Sequence, residues 1–196
     1  MSYIDTIPEG CHEFKAWANE AGIQSDDEAW QKLHRADLML WLTKKRGIEL
    51  DEAKLRHFAV DCAEDVLPLF ERRYPGDDRP RKAIHAARRL ADGNEDTDFD
   101  SVWHAARDAA RSSSSIAAWT AARAFAWKSD RLAAFDCACV ASVNAAMAAA
   151  GEAAWAVAAP SISTWYAAWD TAWDAAMKTQ ADRLRKYFPN PFKEKP

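Results

Sequence analysis

Glycine is scarce in this chain, six in 196 residues, and that scarcity excludes much catalytic architecture. No glycine-rich loop of the kind that cradles phosphate is present, and no nucleophile elbow. β-Branched runs are missing as well, and nothing reads as a hairpin turn between alternating segments, so there is no convincing strand. The four cysteines, Cys11, Cys62, Cys137 and Cys139, do not form a metal knuckle. Cys137 and Cys139 are two apart on an expected helix and point in different directions. The N-terminal MSYIDTIPEG lacks a basic region and an apolar signal core, from which a cytoplasmic location is expected. A surplus of cations is also lacking. With a formal net charge of -4 and a pI near 5.7, no nucleic-acid partner held by phosphate neutralisation is expected.

What the chain does have is apolar content of 49% and ten tryptophans, the make-up of a buried globule. Its length fits one all-α domain over 1–196. A subdivision is visible in the texture: a leucine- and charge-rich half over 1–93 and an alanine- and tryptophan-rich half over 99–196, joined by the acidic linker 94–98. A first helix opens near Pro8 and ends at Gly22. Ser25 with Glu28 has capping-box spacing, and the next helix is expected to run unbroken to Gly47. A third begins near Asp51 and carries Pro68, which is expected to kink its last turns. A fourth runs from Pro80 to Gly93. Beyond the linker the spacing predicts helices near Phe99–Arg111, Ile116–Lys128, Arg131–Ala150 and Thr164–Tyr187, with Asp130 and Ser163 as N-caps. That makes about eight helices in a single bundle, with alanine-lined packing in the second half. Cys137–Ala159 is apolar, but Asn144 and Glu152 interrupt it and alanine is weakly apolar, so no membrane span is expected.

The segment Leu55–Gly93 is the most informative. Leu55, Phe58, Ala59, Cys62, Ala63, Val66, Leu69 and Phe70 lie on one helical stripe, which must be buried. Tyr74-Pro75-Gly76 then breaks the helix and Pro80 suits the first turn of the next. The wording AVDCAEDVLPLFERRYPGDDRPRKAIHAAR closely resembles bacterial immunity proteins of polymorphic toxin systems, the alanine-rich, all-helical fifth-numbered family. Arg35-Ala36-Asp37 with Trp41 fits the same family, and the resemblance extends from about Arg35 to Gly93. Arg35, Asp37, Trp41, Asp61, Cys62, Glu64, Pro68, Arg79 and Pro80 carry it, and their roles are expected to be structural. The resemblance implies a non-catalytic protein without cofactor that binds and neutralises a cognate toxin or effector. A mildly acidic inhibitor would also be drawn to a basic toxin.

The tryptophans beyond the linker form stripes. Trp119, Arg123, Trp127 and Arg131 follow at steps of four, and Trp103 with Arg107 begins a similar series. Trp165, Trp169 and Trp173 form another, with Tyr166, Asp170 and Asp174 beside it. Arginines of one helix can pair with aspartates of another, indoles filling the space between. Alternatively the stripes line a groove for a toxin segment or a small anionic ligand such as a nucleotide. The second alternative function is therefore a counter-defence protein, of phage or bacterial origin, that sequesters such a ligand. A third is a metal-dependent enzyme, for which His57 with Asp61 and His104 with Asp108, at helical i, i+4 spacing, are the only candidates. Arg88 and Arg89 offer those acids simpler partners. Finally, the tail after Arg183, with Tyr187, Phe188 and Phe192 among prolines, either folds back on the bundle or reaches a partner or a second copy of the chain.

Overall fold

The computed structural model describes residues 2–94, 98–113, 115–125, 131–156 and 161–193, with residues 99, 123–125 and 131–133 described by backbone alone. All regular structure among them is α-helical, in ten helices: α1 (Tyr3–Thr6), α2 (His12–Glu20), α3 (Asp26–Lys32), α4 (Ala36–Lys45), α5 (Glu52–Arg73), α6 (Arg79–Ala91), α7 (Phe99–Ser113), α8 (Ile116–Phe125), α9 (Arg131–Ala156) and α10 (Ile162–Tyr187). The all-α fold class expected from the sequence is what the chain adopts.

α5 is the hub. Asp51 caps it by accepting from the Lys54 amide at 2.9 Å, and Leu55, Phe58, Ala59, Cys62, Ala63, Val66 and Phe70 form its buried stripe. Each fully buried Leu or Phe there contributes about 1.5–3 kcal/mol. The helix continues through Pro68 to Arg73. The proline faces solvent, as does Glu64, so the backbone carbonyl it leaves without a donor lies on the wet side of the helix. α6, α8, α9 and α10 pack around α5, while α7 bridges α6 and α8. One hydrophobic cluster runs from Ile7 to Phe188 and so draws on both halves of the sequence.

In the second half the contacts are made by alanine. Ala134, Ala138, Ala141 and Ala145 are buried along one side of α9, and Ala146, Ala150 and Ala154 along another. Ala106, Ala109 and Ala110 on α7 and Ala117, Ala118, Ala121 and Ala122 on α8 are buried in the same way. Small side chains let helices approach closely and replace side-chain volume with backbone contact. Ala134–Ala156 is long and apolar enough to cross a membrane by length and composition; here it lies against α4, α5, α8 and α10.

Several boundaries differ from the sequence expectation. A short α1 precedes the first expected helix, capped by Ser2 and Asp5 in a reciprocal pair. The helix expected from Ser25 to Gly47 is broken at Leu33–Arg35 into α3 and α4. The cause is remote in sequence: the Arg185 guanidinium on α10 donates to the Trp30 carbonyl at 2.9 Å and to the Leu33 carbonyl, capping α3 from outside. Arg35 then turns onto Asp37, its Nε and Nη2 donating to the two carboxylate oxygens at 2.9 and 2.7 Å. α9 continues through Gly151 to Ala156 rather than stopping at Ala150. α10 begins two residues early, because Ser161 and not Ser163 is its N-cap, accepting from the Thr164 amide. The expected Asp130 cap, Pro160 and the centre of the acidic linker lie outside the described residues.

The C-terminal tail folds back. Phe188 is buried, Phe192 meets Trp30 edge-on at 5.9 Å between centroids, and the Asn190 side chain donates to Asp27 at 2.7 Å. Through Lys193 these aromatics pack within the chain.

Two outcomes follow from this packing. Arg185→Met should lower the unfolding free energy by about 1–3 kcal/mol, because two carbonyls at the end of α3 lose their donor; denaturant titration measures it. Deleting the residues after Pro189 should cost about 1–2 kcal/mol, from the lost Phe192 burial and the Asn190–Asp27 bond. An unchanged melting temperature in the truncated chain would show that the tail does not hold the bundle together.

Candidate functional site

The row His57, Asp61, Asp65 on α5 is where a metal would have been looked for, and the structure gives these acids to other helices. Arg88 on α6 donates to Asp61 at 2.7 Å and sits 2.8 Å from Glu64. The Tyr187 hydroxyl on α10 donates to the other Asp61 oxygen at 2.7 Å, and Arg183 forks onto Asp65 at 2.5 and 2.9 Å. His57 lies 3.3 Å from Asp92 at the end of α6. Asp61 is thus a three-helix junction between α5, α6 and α10. His104 leans edge-on against Trp103 at 4.9 Å, and Asp108 is exposed one turn further along α7. Among the described residues no three His, Cys, Asp or Glu side chains gather into a possible metal site.

The cysteines are placed for packing. Cys62 is fully buried beneath this junction, and burial pushes its thiol pKa far up; burial likewise pushes Cys139 up to about 12. Thiols held protonated in this way are poor nucleophiles.

The other residues that carry the sequence resemblance also act on the fold. Arg35 is clasped by Asp37 and Glu13 and reaches the Trp173 ring at 5.9 Å. Trp41 packs on Phe14 at 5.3 Å. Arg79 forks onto Asp77 at 2.8 and 2.6 Å, holding that carboxyl below the usual carboxylate range, and Pro80 is buried in the first turn of α6.

The tryptophan stripes divide. On α7 the Arg107 guanidinium lies 4.5 Å over the half-buried Trp103 ring, a cation–π pair within one helix. Trp119 is half-buried and lines a cleft of about 220 Å³ with Ile116, Asn144 and Met147. Trp127 and the side chains of Arg123 and Arg131 lie outside the described residues. On α10, Trp165, Trp169 and Trp173 turn inward and are half-buried, which rotates Tyr166, Asp170 and Asp174 outward into solvent. Asp170 and Asp174 enter no ion pair among the described residues, and the side chains of Arg123 and Arg131, expected to pair with them, lie outside those residues.

A second cleft, also of about 220 Å³, opens between the end of α5, the start of α8 and the middle of α9. Phe70, Tyr74, Ile116, Met147, Gly151 and Trp155 line it. Beside it the structure exposes Trp155 at 80% and Ile162 at 74%, which the sequence reading missed, and Tyr166 at 56%. Trp155 sits edge-on to Trp165 at 6.3 Å, and Trp165 stacks on Trp169 at 5.3 Å. Gly151 lies under this arrangement, where a Cβ would stand 3.5 Å from the Trp169 ring, in ordinary van der Waals contact. Reading Gly151 as a helix end hid Trp155 from the candidate set; the repeating spacing of Trp165 and Trp169 was the available signal.

The fold and these contacts define an all-helical bundle whose acid–base pairs join helices, with its open aromatic surface at the free end of α9 and α10. Residues 48–132 match the model of a family described as Imm-5 like putative immunity protein, in line with the family suspected from the sequence. The match covers α5 to α8. It begins after Arg35, Asp37 and Trp41, which the sequence resemblance had included, and continues past the acidic linker that had been taken as its limit. Neither the curated proteins nor the solved structures gave a match.

The Asp61 junction makes stability sensitive to alkali. Burial, then the hydrogen bond and charge of Asp61, push Tyr187 from its ordinary 10.0 up to about 12, against a smaller opposing effect of Arg88 and Arg183. The fold keeps the neutral phenol, so this contribution is whole below pH 10 and is lost as pH rises through about 12. Tyr187→Phe should flatten that limb of the stability profile, read by thermal melts across the alkaline range. An identical slope in the variant would assign the alkaline loss to other groups.

Proposed function

We propose that this chain is an immunity protein that binds a cognate toxin or effector stoichiometrically and blocks it by occlusion, without turnover. The match of residues 48–132 to an immunity-protein family carries this reading. The structure supports it in two ways. The acids suited to catalysis or metal binding on α5 are engaged by Arg88, Arg183 and Tyr187, and a rigid helical surface with exposed indole is available for a partner. Aromatic and arginine side chains on preformed surfaces supply most interface anchors. The clefts, at about 220 Å³ each, are below the 300–1,000 Å³ usual for small-molecule sites, which favours a protein partner over a nucleotide.

Co-expression decides the matter. A toxin or effector encoded beside this gene should arrest growth alone, and growth should recover when this chain is present, with an equimolar complex on purification. Failure to rescue against every neighbouring toxin would remove the reading.

A further inference from the structure

The exposed end of the α9–α10 pair combines three properties that a simple solvent face lacks. Its aromatics are preorganised: Trp155 leans on Trp165, Tyr166 meets Trp165 edge-on at 5.3 Å, and Trp165 stacks on a Trp169 seated against Gly151. Next to Trp155 opens a cleft of about 220 Å³, room for one inserted side chain, walled by Phe70, Tyr74, Ile116 and Met147. Along the solvent face of α10, one and two turns beyond Tyr166, stand Asp170 and Asp174, exposed and in no ion pair among the described residues. Neighbouring cations are already engaged: Arg72 with Glu152 at 3.0 Å, Lys178 with Asp182 at 2.8 Å, and Arg35 with Asp37 and Glu13. Arg73, which also lines the cleft, enters no ion pair among the described residues.

We propose that this surface docks a protein partner that inserts an aromatic or aliphatic side chain beside Trp155 and lays lysine or arginine residues along Asp170 and Asp174. The inference deepens the immunity reading and rests on it for the partner's identity. Charge complementarity selects the occupant. Exposed carboxylates in no ion pair among the described residues attract a cationic surface, and the net charge of -4 adds to the long-range field. A second copy of this chain would bring the same acidic row against the patch, and an anionic ligand would meet two carboxylates.

The test uses the full chain as bait for a displayed library of random peptides. Selected sequences should be enriched in Lys or Arg together with an aromatic residue. Trp155→Ala, and separately Asp170→Lys with Asp174→Lys, should each weaken the tightest peptide about tenfold or more, while Glu20→Lys on α2 leaves it unchanged. These side chains are exposed, so melting temperatures of all variants should match the parent. Absence of any selected binder, selection of acidic peptides, or binding indifferent to the variants would overturn the proposal. So would a concentration-dependent dimer abolished by Trp155→Ala, which gives the surface to a second copy. Rescue of growth by parent and patch variants alike would sink this surface and keep the immunity reading. Loss of rescue with every toxin, alongside patch-dependent cationic peptides, would do the reverse.

Discussion

The close approach of alanine-lined helices is the constraint on which the second half of the structure depends. α8 and α9 lie against α5 through Ala118, Ala121, Ala138, Ala141 and Ala145, all fully or almost fully buried. A core built this way is thin. It has no space for an indole, which is among the largest groups to bury and carries an N–H needing a partner. The tryptophans of this half are therefore displaced to the margins of the helix contacts, where Trp103, Trp119, Trp165, Trp169 and Trp173 are half-buried and Trp155 is open. Trp30, packed among Phe, Leu and Met in the first half, is the one described tryptophan that is fully buried. The exposed aromatic surface is thus a geometric consequence of alanine packing.

A thin apolar core needs other fastenings between its layers, and the charged residues of the first half provide them. Asp61 joins α5 to α6 through Arg88 and to α10 through Tyr187, while Arg183 and Asp65 repeat the link one turn away. Arg185 ties α10 to the end of α3 by donating to carbonyls rather than to a carboxylate. Partly exposed pairs of this kind contribute modestly to stability taken singly. Their geometric effect is larger: bidentate arginines fix helix rotation about the axis, and so decide which face of α10 looks outward. With Arg183, Leu184 and Tyr187 facing α5, Trp165, Trp169 and Trp173 turn inward and Asp170 and Asp174 outward.

Most of the helical content was legible because helix signals are local. Ser25 with Glu28, Asp51, and the positive-φ glycines Gly22, Gly47 and Gly93 mark boundaries where the chain does begin or end helices. The break at Leu33–Arg35 was not legible, since its cause is Arg185, 152 residues further along the chain from Leu33. Gly151 misled in the opposite sense: glycine weakens a helix in isolation, yet α9 runs through it to Ala156. The site was only half legible. Spacing placed Trp165, Trp169, Asp170 and Asp174 on adjoining stripes of α10, but α9 is alanine-rich and apolar on most sides and carries no mark that Trp155 faces water. The orientation of the α10 stripes comes from contacts made by the other end of that helix.

An inhibitor that works by occupancy needs a surface that loses little entropy on binding, because association already costs translational and rotational freedom. Stacked indoles meet that requirement, being large, with few rotatable bonds and held here against one another and against α9. A cleft beside them adds selectivity, since a partner lacking the inserted side chain leaves it unfilled. On the proposed reading, the carboxylates along α10 would draw a cationic partner in at longer range and add to its affinity once it is seated. The division of labour follows the sequence halves. The residues matched by the family model, α5 to α8, provide much of the scaffold and one wall of the cleft, while its α9 wall, Trp155, Ile162, Tyr166 and the acidic row lie beyond it. Changes on α9 and α10 could therefore retune partner choice without disturbing the Asp61 junction, provided the small residues against α5 and the seat at Gly151 are kept.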